Sequence, residues 1–288
     1  LKRNKNFKNY DVDIRNLNRL TLLFRKYSKR ISVIIHCAAQ PSHDYGKDHP
    51  LLDFNVNATG TLNLLELTKK YCPNAPFIFM STNKVYGDNP NKLDILEKET
   101  RYAVNKNSSF SNGIDESMSI DSTLHSLFGA SKLSADILVQ EYGKYFGMKT
   151  VAFRGGCLTG PAHSGTSLHG FLSYLVKSIA TQSTYTIFGY KGKQVRDNIH
   201  SYDLVNAFYE FYKSPKSGVV YNIGGGISSN CSILEAIKIG EEVSGKKLNY
   251  EYSESARVGD HIWYVSDLTK FQTDYPNWCL TYNIEELI

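Results

Sequence analysis

At 288 residues, 41% hydrophobic and 21% charged, the chain has an ordinary globular composition and enough length to bury a large core, as one domain or two unequal lobes. Its net charge of +5 is scattered, and the densest basic run, residues 1–8, is terminal and lacks interleaved aromatics, which argues against nucleic-acid binding but suits a small anionic substrate. Five well-separated cysteines with no Cys-x-x-Cys pair argue against a zinc site or a disulfide framework, and no apolar run reaches the roughly 20 residues of a membrane span.

The chain opens on a polar stretch without an initiator Met, and we read it as lacking an N-terminal portion. Residues 33–39 form a short apolar run, too short for a helix, and predict a buried strand. Residues 62–70 put leucines on one helical face and lysines at the end, where the helix dipole favours cations. A second buried strand is expected at 76–80. Residues 88–121 are polar and acidic and predict a long irregular surface insertion. Leu133, Ile137, Leu138, Tyr142 and Tyr145 recur at helical spacing across 130–145, and a strand is expected at 150–153. Such alternation implies parallel pairing with right-handed crossovers, the doubly wound α/β layout. Beyond about residue 155, glycine and histidine become dense. Helices are expected near 171–179, 201–212 and 233–243, and strands at 185–188 and 219–223. The expected division is residues 1–155 and a smaller mixed lobe, 156–288, whose chain crosses back to the first.

In doubly wound folds ligands sit beyond the carboxyl ends of the strands. Three such ends carry small or polar residues: 38–44, 81–87 and 154–157. Gly224-Gly225-Gly226 has the wrong spacing for a phosphate loop and reads as a turn near the site.

Six short signatures occur in order: His36-Cys37-Ala38-Ala39, Asn57-Ala58-Thr59-Gly60-Thr61, Ser81-Thr82 with Val85-Tyr86-Gly87, Gly129-Ala130-Ser131-Lys132, Arg196-Asp197-Asn198-Ile199-His200, and Tyr221-Asn222-Ile223-Gly224-Gly225. Together they resemble the extended short-chain dehydrogenases/reductases, the NAD-dependent epimerase/dehydratase family of sugar-nucleotide enzymes, over nearly the whole chain. The fuller strings 39–44, 81–88, 189–197 and 259–261 are most similar to members that invert C2 of CDP-linked deoxysugars.

The resemblance implies a Rossmann-like doubly wound parallel sheet, its first strands missing here, with a smaller C-terminal substrate lobe. It implies NAD as cofactor, no metal, a nucleotide-sugar substrate with a CDP-sugar favoured, and a cytoplasmic homo-oligomer in carbohydrate (O-antigen) biosynthesis. By position, Asp13 and Ile14 match contacts to the adenine end of NAD. Ala38, Ala39 and Gln40 match the turn over its pyrophosphate and ribose, and Asn57 matches the helix Asn that props the active-site strands. Thr82 matches the residue that hydrogen-bonds the reacting hydroxyl. Lys132 matches the lysine that binds the nicotinamide ribose and polarises the proton relay. Arg196 and Arg257 match diphosphate-binding arginines, a task that suits bidentate guanidinium pairing. Asn198 and His169 match substrate contacts, and Asp260 matches an acceptor for the nucleotide ribose. Each has a plainer rival: an Arg196–Asp197 surface ion pair, an exposed Lys132, a turn-capping Thr82, a turn at Asp13, and packing for His169.

Two features depart from the family. No Gly-x-Gly-x-x-Gly precedes the strand at 33–39. With that loop absent, the expectation is poor NAD binding, an uncovered sheet edge and low stability. The second departure is Phe128, four residues before Lys132, where the family carries Tyr. A phenyl ring accepts no proton, so another group must serve. Candidates are His125, one turn earlier, His43 after the first strand, or Thr82 assisted by Lys132 or water. Cys157, where relatives carry an Asn, reads as a structural thiol. The expected function is an NAD-dependent nucleotide-sugar 2-epimerase acting through a keto intermediate. The alternatives are a 4-epimerase or 4,6-dehydratase, and a non-catalytic nucleotide-sugar-binding homologue. Asn83-Lys84 lacks the acidic residue that drives elimination, which disfavours the dehydratase.

Overall fold

A computed structural model of the chain describes residues 4–166, 170–256 and 259–288. Helix α1 (Leu17–Tyr27) is capped by the Asn16 side chain and buries Leu20 and Phe24. Sequence reading missed this helix because its basic residues hide a narrow apolar stripe. Strand β1 (Ile34–His36) leads to α2 (His43–Asp48) and α3 (Pro50–Phe54). A π-turn at Asn55–Thr59 then opens α4 (Gly60–Tyr71), followed by β2 (Phe77–Thr82). A hairpin, β3 (Ile95–Glu97) and β4 (Tyr102–Val104), precedes α5 (Ser126–Phe146) and β5 (Thr150–Gly155). Next come β6 (Cys157–Thr159), α6 (Phe171–Thr181), β7 (Tyr185–Phe188), β8 (Val195–His200), α7 (Ser201–Lys213) and β9 (Val219–Ile223). The chain ends through β10 (Asn230–Ser232), α8 (Ile233–Ser244), β11 (Tyr250–Ser253), β12 (Trp263–Tyr264), α9 (Thr269–Asp274) and α10 (Ile284–Leu287).

The main sheet runs β1-β2-β5-β9, and every pair in it is parallel. Alternate side chains leave by opposite faces, as the two-residue period of a strand requires. Phe77 and Phe79 pack with Leu20, Phe24, Leu65 and Val139 from α1, α4 and α5. Ile78, Val151 and Phe153 pack on the other face with Phe208, Phe211 and Phe271 from α7 and α9. Truncating one of these buried aromatics to Ala would cost about 3–5 kcal/mol. The run expected as a strand over 33–39 pairs only at Ile34–His36, because β1 has β2 on one side only and Ile35 stays exposed. β9 lies beyond residue 156 and is nevertheless the fourth strand of this sheet.

Residues 88–121 differ from the irregular surface insertion expected of them. They hold the β3–β4 hairpin, and Val104, Ile114 and Met118 are buried with Tyr86, Val195 and Tyr264 in one cluster. The anchoring residues are few and irregularly spaced, so they give no periodic signal. Strand β8 organises the smaller sheets: it pairs antiparallel with β10 and parallel with β12 and β6. β7 pairs parallel with β11 and packs against α6 and α8 through Ile187, Leu175, Ile179 and Ile237.

Candidate active site

The ends of β2 and β5 and the turn after β1 open onto one cleft of about 710 Å³. Its near wall holds Ala39, His43, Thr82, Phe128 and Lys132; its far wall holds Ile187 on β7, Arg196 on β8, and Asp260, which Lys84 reaches from the turn after β2.

Lys132 rides on α5. Its ammonium donates to the Met80 carbonyl at 2.8 Å and lies 4.1 Å from the centroid of the Phe79 ring. The residue is only 4% exposed, so the plain reading of a solvated helix-face lysine does not apply. Burial brings its pKa down to about 8, against the opposing pull of Asp136. Beneath it, Asp136 accepts from Ser81 Oγ at 2.5 Å and from Arg154 at 2.9 and 3.2 Å. Arg154 also donates to the Tyr86 hydroxyl at 3.1 Å. This buried network clamps α5 to β2 and β5 and so fixes where Lys132 and Thr82 stand. Sequence reading missed it; the i,i+4 spacing of Lys132 and Asp136 was the available signal.

Phe128 lines the cleft one turn before Lys132, and its ring packs edge-to-face with that of His43, the ring centroids 4.8 Å apart. His43 opens α2, lines the cleft, and shares a hydrogen bond of 2.9 Å with Ser126 Oγ. The Ser126 hydroxyl also accepts from Gly129 N at 3.2 Å, capping the first turn of α5. His125 is placed differently: its Nε2 meets the Val85 carbonyl at 2.9 Å, and it is not among the residues lining the cleft. Thr82 ends β2, and its Oγ1 accepts from Lys84 N at 3.3 Å.

The turn after β1 rests on a polar network. Asn57 accepts from Gln40 N at 2.9 Å and donates to the Gln40 carbonyl at 3.1 Å and to Ser131 at 3.0 Å. Gln40 donates to Asp53 at 2.5 Å, and Ser131 donates to the same carboxylate. Ala39 reaches the cleft; Gln40 and Asn57 are buried behind it, and Ala38 is exposed outside it. Asp13 lies elsewhere, in a shallow groove of about 620 Å³ with Asn55 and Thr59. Its carboxylate is held to about pKa 2 by Arg15, 2.6 Å away. Ile14 packs under Gly60, where a Cβ would come within 2.5 Å of its side chain.

On the far wall, Arg196 donates to Asp260 at 2.5 Å and to the Val195 carbonyl at 2.8 Å. An Arg196–Asp197 surface pair does not form, since neighbouring strand residues face opposite ways. Asp197 instead accepts from Ser266 N at 3.0 Å and Gly226 N at 3.3 Å, and burial raises it to about 6. A Cβ at Gly224 would lie 2.0 Å from the same carboxylate, so this glycine turn is a packing device. Asn198 is fully buried, donating to the Arg196 carbonyl at 3.1 Å, and does not line the cleft. Burial alone would raise Asp260, but the charges of Arg196 and Lys84 more than reverse this and hold it well below the carboxylate range. Lys84, which sequence reading left without a role, lines the cleft with its pKa lowered to about 8 by burial. Burial pushes the Cys157 thiol up to about 12, so it stays protonated. Arg257 and His169 lie outside the described residues. Among the described residues no group of His, Cys, Asp and Glu could hold a metal ion, and no helix is long and apolar enough to cross a membrane.

The model of the NAD dependent epimerase/dehydratase family matches residues 1–224. CDP-paratose 2-epimerase of Salmonella typhi is 34% identical over 281 residues, 95% of this chain and 80% of that protein. Two solved structures resemble the fold over 99% of the chain. Thermus thermophilus UDP-glucose 4-epimerase, solved with NAD, gives a TM-score of 0.81 at 23% identity, with 83% of that chain covered. The Bacillus cereus UDP-glucuronic acid 4-epimerase, solved with UDP-glucuronic acid and NAD, gives 0.77 at 26% identity, with 80% of that chain covered.

Proposed function

Because the chain belongs to the NAD dependent epimerase/dehydratase family, whose cofactor is NAD, we propose that it is a nucleotide-sugar epimerase inverting C2 of a CDP-linked deoxysugar. The observation that carries this reading is the meeting of Thr82 and Lys132 with Arg196 and Asp260 across one cleft. Residues 1–155 then serve the dinucleotide, and residues 156–288 mainly serve the substrate.

The residues present fit the nicotinamide end of NAD: Ala39 leaves room for it, and the buried Lys132 ammonium offers donors to a ribose. NAD, when bound, supplies the acceptor and later the donor of the hydride that leaves and returns to C2. The chain must do the rest. Thr82 would orient the C2 hydroxyl, and Lys132 would stabilise negative charge as its proton departs. We assign the proton to His43. It lines the cleft against Phe128, whereas the Nε2 of His125 is engaged by a backbone carbonyl. Arg196 would bind the diphosphate and leave the sugar able to present its other face.

The experiment is incubation with a CDP-linked 2-hydroxy deoxysugar and NAD, read by proton NMR for the C2 epimer. Lys132→Ala should lower turnover at least about 10²-fold. Product inverted at C4, or lacking water across C5 and C6, would replace the C2 reading. Asn83 and Lys84 after Thr82 leave no carboxylate there to drive elimination, which weighs against the dehydratase.

A further inference from the structure

Four hydrogen bonds stitch residues 259–262 to the segment after β2. Lys84 Nζ donates to the Gly259 carbonyl at 2.8 Å, and Asn91 Nδ2 donates to the Asp260 carbonyl at 2.9 Å. Ile262 N donates to Asn91 Oδ1 at 2.7 Å. His261 Nε2 meets the Gly87 carbonyl at 2.9 Å, and burial keeps that ring neutral, so Nε2 carries the proton and donates. The backbone so fixed presents the Asp260 carboxylate to two cations. Arg196 lies 2.5 Å from Asp260 Oδ1, and Lys84 Nζ lies 3.9 Å from the same atom. The side chains of Arg196, Lys84 and Asp260 are 9%, 17% and 23% exposed, so water screens them little.

This cluster of two cations and one anion faces the cleft. The NH2 group of Arg196 is spent on Asp260, so an incoming diphosphate must share it or take it. Taking it strands a mostly buried carboxylate, which is costly unless another cation remains beside it. Among the described residues, Lys84 is the cation so placed. Asp260 also raises the ammonium's affinity for its proton, opposing the effect of burial.

We propose that Lys84 is a positioning residue that holds the Asp260 carboxylate when the ligand's diphosphate takes Arg196. The inference rests on the nucleotide-sugar reading above, and it makes Lys84 a determinant of affinity rather than of the chemical step. No contact between Lys84 and the ligand is required.

The test is calorimetric titration with CDP and UDP, alongside steady-state kinetics with the CDP-sugar. Lys84→Met should weaken CDP binding roughly tenfold or more, with the loss falling on KM rather than kcat. Lys84→Arg should come back to within about threefold of wild type. In an Asp260→Asn background no carboxylate is stranded, so Lys84→Met should there cost less than about threefold. If Lys84→Met does not melt cooperatively, Lys84→Gln carries the same comparison. A penalty undiminished in the Asp260→Asn background, or no penalty at all, overturns the proposal while CDP binding by wild type keeps the nucleotide-sugar reading. Wild-type protein that binds neither CDP nor UDP overturns both.

Discussion

Two arginine–aspartate pairs, one with its arginine near the end of β5 and the other with its arginine on β8, have opposite characters. Arg154–Asp136 is closed: the side chains are 4% and 0% exposed, and both carboxylate oxygens are used by Arg154, Ser81 and Gln140. Arg154 continues to the Tyr86 hydroxyl, which donates to Asn222 at 2.8 Å. Arg196–Asp260 is open: it faces the cleft, Asp260 is 23% exposed, and a second cation stands 3.9 Å away. Identical chemistry thus serves two ends. A pair with every lone pair committed has no exchange partner and works as a rivet. A pair on a cleft wall with a spare cation can change partners.

That contrast can be broken, and the largest expected effect is at the rivet. Asp136→Ala strands the Arg154 guanidinium, and stability in a urea melt should fall by about 3–5 kcal/mol. A loss under about 1 kcal/mol would show that water reaches Arg154 and that the pair is not closed. At the open pair the effect should move from folding to binding. Arg196→Met should weaken CDP binding by roughly 10–100-fold while costing much less stability than Asp136→Ala. Equal losses of stability at the two sites would erase the distinction. Phe128 stands on the near wall, across from the open pair. With His43 taking the proton, Phe128→Tyr should change kcat by less than about tenfold. Turnover detectable in the variant and absent from wild type would identify the natural chain as a binder without catalysis.

The smallest effect is a pH slope. The pKa of Lys132 falls in the folded state from the ordinary 10.5 to about 8. Between these values the unfolded chain binds more protons than the folded one, so stability from this group is present above 10.5 and is lost as pH falls through 8. Urea melts from pH 7 to 10 should show that rise, and Lys132→Met should reduce it, Lys84, lowered to about 8 by burial, supplying a like contribution that remains. An unchanged slope in the variant would remove Lys132 as its source.

The parallel order of the main sheet was legible because its strands are apolar on both faces and alternate with helices. Strands at 185–188 and 219–223 were read to the residue. Helix α1 and the anchored hairpin region were not, because their core contacts come from a few residues at wide spacing. At the site, Thr82, Lys132 and Arg196 were found through ordered motifs, and all three reach one cleft. Asn198, in the same motif as Arg196, and His125, one turn before Phe128, are turned to buried or backbone partners, a choice made by packing.

The sequence by itself determined the family, the parallel sheet and the loss of a hydroxyl at Phe128, since these follow from residue identity and order along the chain. The tertiary structure alone decided which charges share a partner. Lys84, Arg196 and Asp260 are 64 or more positions from one another in sequence, and they meet because residues 259–262 are stitched beside the end of β2. Electrostatic partnership depends on distance and burial in space, and local sequence encodes neither across such separations.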